Sequence, residues 1–144
     1  MKVIVKKVSS PEEEEAVIKV SRVTDCISTA IGLLENGEKV LMCLKDGESI
    51  PCLFSAIYYA ETVEDKTFVY TRNDCLEVKN RLYELEESLD FRFFRCSKSM
   101  ILNVKKIKGV RTVDNAKMEA TLLNDEKVLI TRSYVKTLKK RLGL

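Results

Sequence analysis

From Lys39 to Ile130 the apolar residues recur mostly at every second position, in short runs broken by polar turns, and that period calls for a β-rich fold. Successive side chains of a strand point to opposite faces, so alternation marks half-buried strands and not amphipathic helices. Asp46-Gly47 and Asn73-Asp74 carry the turn chemistry, since Gly accepts a positive φ and short Asn and Asp side chains tolerate one. The expected strands lie near 39–45, 48–53, 56–61, 67–72, 75–78, 93–96, 100–103, 107–113, 117–123 and 126–131. Two helices interrupt them. Asn80 is placed to cap one, with Leu82, Leu85 and Leu89 on a single face and Glu84, Glu86 and Glu87 toward water. Ser133 is expected to cap a terminal helix, with Tyr134, Leu138 and Leu142 along one side, Lys136, Lys139, Lys140 and Arg141 elsewhere, and Gly143 as its stop.

The first 38 residues read differently. Met1 to Val8 alternates Lys with Val and Ile and is expected to form a strand. Residues 11–36 allow two readings. Pro11 and the acidic run Glu12 to Glu15 suit the start of one long helix, because Pro fits the first helical position and carboxylates fit the positive end of the dipole. The branched Val17, Ile18, Val20 and Val23 favour instead a strand near 15–22, then a helix from a Thr24 or Asp25 cap to Glu35, closed by Asn36 and Gly37. The division expected is a small βα-type N-terminal regulatory or dimerisation unit, 1–38, and a β-rich domain, 39–144, of ordinary size for one domain.

Several chemistries are missing. The chain has no histidine, which removes Ser-His and Cys-His nucleophiles and histidine-based metal sites. Its five cysteines are 17, 9, 23 and 21 positions apart, so no local zinc knuckle or dithiol pair exists, and free buried thiols of a cytoplasmic protein are expected. Neither a GxxxxGK[ST] loop nor a GxGxxG turn occurs. Glu61, Glu64 and Asp65 cluster, but with nothing nearby to complete a site they read as a solvated turn. No run approaches the roughly 18 apolar residues of a membrane span. An enzyme, a cofactor, a metal centre and a small-molecule substrate are therefore not expected.

Charge is the remaining signal. Residues 92–144 hold 14 Lys plus Arg against 4 Asp plus Glu, a net +10, whereas 1–36 sum to −1 and 37–91 to −6. A gradient this steep inside a chain of net +3 suits one face that meets a polyanion. Two segments concentrate it. In Phe91 to Asn103, Phe91, Phe93 and Arg95 point one way and Arg92 and Phe94 the other, before Cys96-Ser97-Lys98-Ser99 presents short donors and a mobile cation; a polar hairpin between core strands fits as well. In Lys127 to Arg141, the hydroxyls of Thr131 and Ser133, the Arg132 guanidinium and the N–H groups of a helix start could converge on one anion, although a surface arginine beside a helix cap would look the same.

Together these residues carry a family resemblance. Phe93-Phe94-Arg95, Ser97-Lys98-Ser99, Ile101-Leu102-Asn103 with Ile107, and Ile130-Thr131-Arg132-Ser133-Tyr134 before a leucine-and-lysine helix resemble the LytTR-type DNA-binding domain, as do Ile57 to Glu61 and Lys66 to Tyr70. The resemblance spans roughly Lys39 to Leu144. It implies a mainly β (α+β), elongated multi-stranded fold with short helices, whose loops enter successive major grooves of double-stranded promoter DNA: a bacterial transcription regulator. Carried over, Lys66, Lys98 and Arg132 are the base-reading candidates, and Ser97, Ser99, Thr131, Ser133 and Lys136 hold phosphates. The family often has His where Ser97 stands and Asn-Gly where Asn124-Asp125 stands. About 36 residues precede the domain, too few for a phosphorelay receiver, which resembles small stand-alone regulators, some restrained by a membrane-protein inhibitor. A homodimer, or two copies on repeated half-sites, is expected. The rivals are an RNA-binding β module, which would need Phe91, Phe93 and Phe94 exposed for stacking, and a protein-interaction module with a basic face.

Overall fold

The structure, a computed structural model, describes residues 1–144. Helix α1 (Asp25–Asn36) precedes strands β1 (Val40–Lys45), β2 (Glu48–Leu53), β3 (Tyr59–Val63), β4 (Lys66–Tyr70) and β5 (Cys75–Val78). Helix α2 (Leu82–Ser88) leads to β6 (Phe93–Ser97), β7 (Met100–Asn103), β8 (Ile107–Val113), β9 (Lys117–Leu122) and β10 (Lys127–Ile130), and α3 (Arg132–Leu142) ends the chain. The mainly β architecture and the ten strands expected from Lys39 onward are present. The third starts later than 56 because Phe54–Ala56 forms a 3-10 turn. At the first hairpin, Asp46 and Gly47 both adopt positive φ, 50° and 81°, the backbone that a tight two-residue turn demands.

The N-terminal strands do not form. Residues 1–8 are exposed and lack strand pairing, as do residues 15–22, and a single 3-10 turn occupies Pro11–Glu13. Strand propensity is not enough without a neighbour to take the backbone N–H and C=O groups, and no sheet edge reaches these segments. Of the two readings for 11–36, the long helix is excluded. The helix starts at a Thr24 cap, whose Oγ1 accepts from the Ile27 N–H at 3.3 Å, and stops at Gly37 with φ 78°.

Two other caps move. Arg81, not Asn80, precedes α2, and the Glu84 carboxylate accepts from the Arg81 N–H at 3.0 Å. Thr131, not Ser133, is the cap residue of α3, so Ser133 lies inside the first turn. Strand β10 runs almost directly into the helix, and extended Thr131 is the only residue left between them.

All strand pairs are antiparallel. One sheet has the order β2-β1-β5-β4-β3-β7-β6, and a second, smaller one has the order β10-β9-β8. The large sheet covers a core on each face. On one side Cys43, Ile57, Val69 and Ile101 pack with Leu82, Leu85 and Leu89 of the α2 segment and with Phe93. On the other, Tyr59, Phe94, Cys96 and Leu102 meet Met118, Ala120, Leu122, Val128 and Ile130 of the small sheet and Leu138 of α3. Neighbouring Phe93 and Phe94 enter different cores because adjacent strand residues face opposite ways. Burying a side chain such as Leu138 contributes about 1.5–3 kcal/mol, enough to hold a short helix that propensity alone would leave marginal.

Asn103 is a buried polar residue at the end of β7, 1% exposed. Its Nδ2 donates to the Ile57 carbonyl at 2.9 Å, and its Oδ1 accepts from the Lys105 N–H at 2.9 Å. Replacement by an apolar residue of similar size strips both partners at once. Asn103→Leu is expected to lower the unfolding free energy in urea by about 1–3 kcal/mol. A loss below about 0.5 kcal/mol, the usual range of a surface substitution, would contradict this role.

Candidate nucleic-acid interface

The two cationic segments meet at an irregularity in the β6–β7 hairpin. Arg95 pairs with Ile101 and Ser97 with Met100, which leaves Cys96 as the extra residue of a β-bulge. A bulged residue is released from the ladder and re-aimed. The freed Cys96 carbonyl accepts from the Thr131 N–H at 3.0 Å and lies 3.5 Å from the Thr131 hydroxyl. Because β6 is the edge strand of the large sheet, this contact also covers part of an open edge. The Cys96 side chain is fully buried, and burial pushes its thiol up to about 12, so it packs and does not react.

Beyond the bulge, the turn Ser97-Lys98-Ser99 has its carbonyl groups drawn inward. Arg95 donates from Nε to the Ser97 carbonyl at 2.9 Å and from one terminal nitrogen to the Lys98 carbonyl at 2.6 Å. Its other terminal nitrogen is anchored on Glu86 at 2.7 Å. The Ser99 carbonyl accepts from the Thr62 N–H of β3 at 2.9 Å. Inside the turn, the Ser99 N–H donates to Ser97 Oγ at 3.3 Å. Oxygens that would repel an anion are thereby occupied, and the Lys98 ammonium and the Ser99 hydroxyl stand on the exposed side. Sequence reasoning grouped Cys96 with the short donors of the turn and did not foresee its bond to Thr131 or the ties that Arg95 makes. The available signal was alternation, which puts half-buried Arg95 on the face of buried Phe93, where a charge needs a fixed partner.

Across the bulge, Thr131 spends its N–H and hydroxyl on Cys96 and makes no side-chain bond to the helix it precedes. Arg132 and Ser133, the first two residues of α3, are exposed. Lys136 is exposed one turn beyond Arg132, on the same side of the helix, while Leu138 is buried. At the other flank, Glu64 and Asp65 make the β3–β4 turn with positive φ, 50° and 66°, and Lys66 begins β4. Lys66, Lys98 and Ser99 line a single groove. The eight candidates thus fall into two groups: Lys66, Lys98 and Ser99 around the groove, and Thr131, Arg132, Ser133 and Lys136 at the start of α3. Ser97 belongs to the turn and follows the Cys96 joint. None of Lys66, Lys98, Arg132 and Lys136 has a carboxylate partner within ion-pair distance, whereas Lys45, Lys108, Arg92, Arg95 and Arg111 all do.

Aromatic stacking is not available at this surface. Phe93 and Phe94 are 6% and 4% exposed and belong to the two cores, so neither ring can stack on a base. Phe91 is half-buried, with the Lys105 ammonium 6.0 Å from its ring centre.

Known proteins share this sequence pattern and fold. The family model for the LytTr DNA-binding domain matches residues 47–143. The transcriptional regulatory protein YpdB of Escherichia coli is 30% identical over 119 residues, which are 81% of this chain and 49% of YpdB. The sensory transduction protein LytT of Enterococcus faecalis is 30% identical over 89 residues, 61% of this chain and 37% of LytT. The chain spans about half the length, or less, of these curated relatives. A solved LytTr DNA-binding domain from Bacillus cereus superposes with a TM-score of 0.70 at 30% identity, covering 75% of this chain and all of that one.

The role of Arg95 can be measured without any ligand. Arg95→Ala is expected to raise amide hydrogen exchange at Lys98 and Ser99 by about tenfold, the equivalent of one lost charge-assisted hydrogen bond. Exchange in β3 and β9 should stay as it is. Unchanged exchange in the turn would show that Arg95 does not order it.

Proposed function

Because this chain belongs to the LytTr DNA-binding domain family, we propose that it regulates transcription by binding double-stranded promoter DNA sequence-specifically, with its loops in the major groove. The reading is carried by one observation: Thr131 is bonded to Cys96, so the arginine at the start of α3 and the lysine of the Ser97–Ser99 turn flank a common joint, exposed and without acidic partners. Arg132 is suited to bidentate recognition of guanine, while Lys66 and Lys98 supply single mobile charges to base edges. Ser97, Ser99, Thr131, Ser133 and Lys136 position the phosphates. The buried phenylalanines argue against the RNA-binding alternative.

Two copies on repeated half-sites complete the proposal, with residues 1–38 as the dimerisation unit. Its support is the exposed apolar surface there, including Val3 at 77% and Val5 at 86%, which a second copy would cover. The protein acts in the cytoplasm, where the DNA is.

Selection of bound fragments from random duplex DNA would supply the site for the test. Affinity for it should fall steeply with salt, with a log–log slope of about −0.9 per phosphate contacted. Arg132→Ala is expected to cost about 1–3 kcal/mol and to relax preference at one base position, whereas Lys136→Ala should weaken all sequences alike. Salt-independent binding would remove the DNA reading. Uniform losses for both variants across a base-substitution series would remove the readout role of Arg132.

A further inference from the structure

The groove that holds Lys66, Lys98 and Ser99 is wider than those three residues require. It encloses about 780 Å³ between the ends of β4 and β5, the start of α2 and the Ser97–Ser99 turn. Lys79 and Arg81 line it as well, and both are exposed. Neither has a carboxylate partner within ion-pair distance, although Asp65 and Glu77 border the same groove.

Charge crowding makes this arrangement costly for the isolated chain. The β4–β5 ladder ends at the Thr67–Val78 pair, with Lys66 opening β4 and Lys79 following directly after β5. Like charges gathered at one end of a sheet repel one another. Segment 37–91 carries a net −6, with ample carboxylates to pair its six cations, yet three of the six, Lys66, Lys79 and Arg81, line this one groove beside Lys98. A fold selected for stability alone would separate or pair them. A bound polyanion turns the same repulsion into attraction.

We propose that the β4–β5–α2 groove is a second phosphate-tracking surface, in which Lys79 and Arg81 hold the duplex backbone on the flank opposite α3. This rests on the DNA-binding reading given above and extends it to two residues outside the eight already assigned. The footprint then runs from Lys136, across the Cys96–Thr131 joint and the Ser97–Ser99 turn, to Arg81. Lys79 and Arg81 read no sequence; they add affinity and fix register on the helix.

The test is a salt titration of the full chain on random-sequence duplex DNA, which reports phosphate contacts without a known operator. Lys79→Ala and Arg81→Ala should each make the log–log slope shallower by about 0.9, and the double variant by about twice that. Arg72→Ala, at the far end of β4, should leave it unchanged. Urea unfolding of each variant confirms that the fold persists. If Lys98→Ala and Arg132→Ala reduce the slope while Lys79→Ala and Arg81→Ala do not, this inference is wrong and the DNA reading stands. If the wild-type chain has no salt-dependent affinity, the DNA reading itself fails. If a polyglutamate peptide, and not duplex DNA, loses affinity when Lys79 and Arg81 are replaced, the groove serves an acidic protein and the inference is overturned.

Discussion

The bond from the Thr131 N–H to the Cys96 carbonyl joins the two sheets at the place where the recognition surface is built. It exists because one extra residue in β6 turns a carbonyl out of the ladder. A regular hairpin would keep that carbonyl in register with β7, and β10 would have no acceptor at this point of the edge. With the bond in place, α3 starts beside the Ser97–Ser99 turn, and Leu138 seals the second core beneath both. Tyr59 adds a further tie from the large sheet, its hydroxyl donating to Glu126 at 2.8 Å in the turn before β10. Burial and that carboxylate together hold the phenol well above its ordinary range, so it remains a donor.

Charge follows the same logic. Some cations away from the joint are neutralised within the molecule: Lys108 meets Asp125 at 3.0 Å, and Arg111 meets Glu119 at 2.9 Å. Such exposed pairs add little stability, but they remove net charge from the surface they occupy. At the joint and the groove, Lys66, Lys79, Arg81, Lys98, Arg132 and Lys136 have no carboxylate partner within ion-pair distance. Arg95 and Lys98 divide the work within one turn. The Arg95 guanidinium is spent on two loop carbonyls and Glu86, and Lys98 is left for a ligand.

Much of this was legible in the sequence because it depends on local period and turn chemistry. Alternation located the strands from Lys39 on and set Phe93 and Phe94 on opposite faces, and Thr24 with Gly37 bounded the one N-terminal helix. What escaped depends on distant partners. The partner that uses the bulge at Cys96 is a donor 35 positions away, and no spacing around Cys96 announces it. Arg95 reads as one more surface cation until the turn carbonyls are placed around it. The strands expected in 1–8 and 15–22 have the right residues, but nothing within this chain pairs with them. Caps slipped by one or two residues at α2 and α3, since Asn80 and Ser133 have good capping chemistry and tertiary position chose Arg81 and Thr131 instead.

The central claim is that the Ser97–Ser99 turn and the start of α3 act as one surface toward duplex DNA. Its most direct measurement is an amide chemical-shift titration with a selected duplex. The account requires Lys98, Ser99, Arg132 and Ser133 to shift together with a single binding constant, while the buried positions of β9 stay still. Shifts confined to residues 1–36, or separate binding constants for the turn and the helix start, would contradict it.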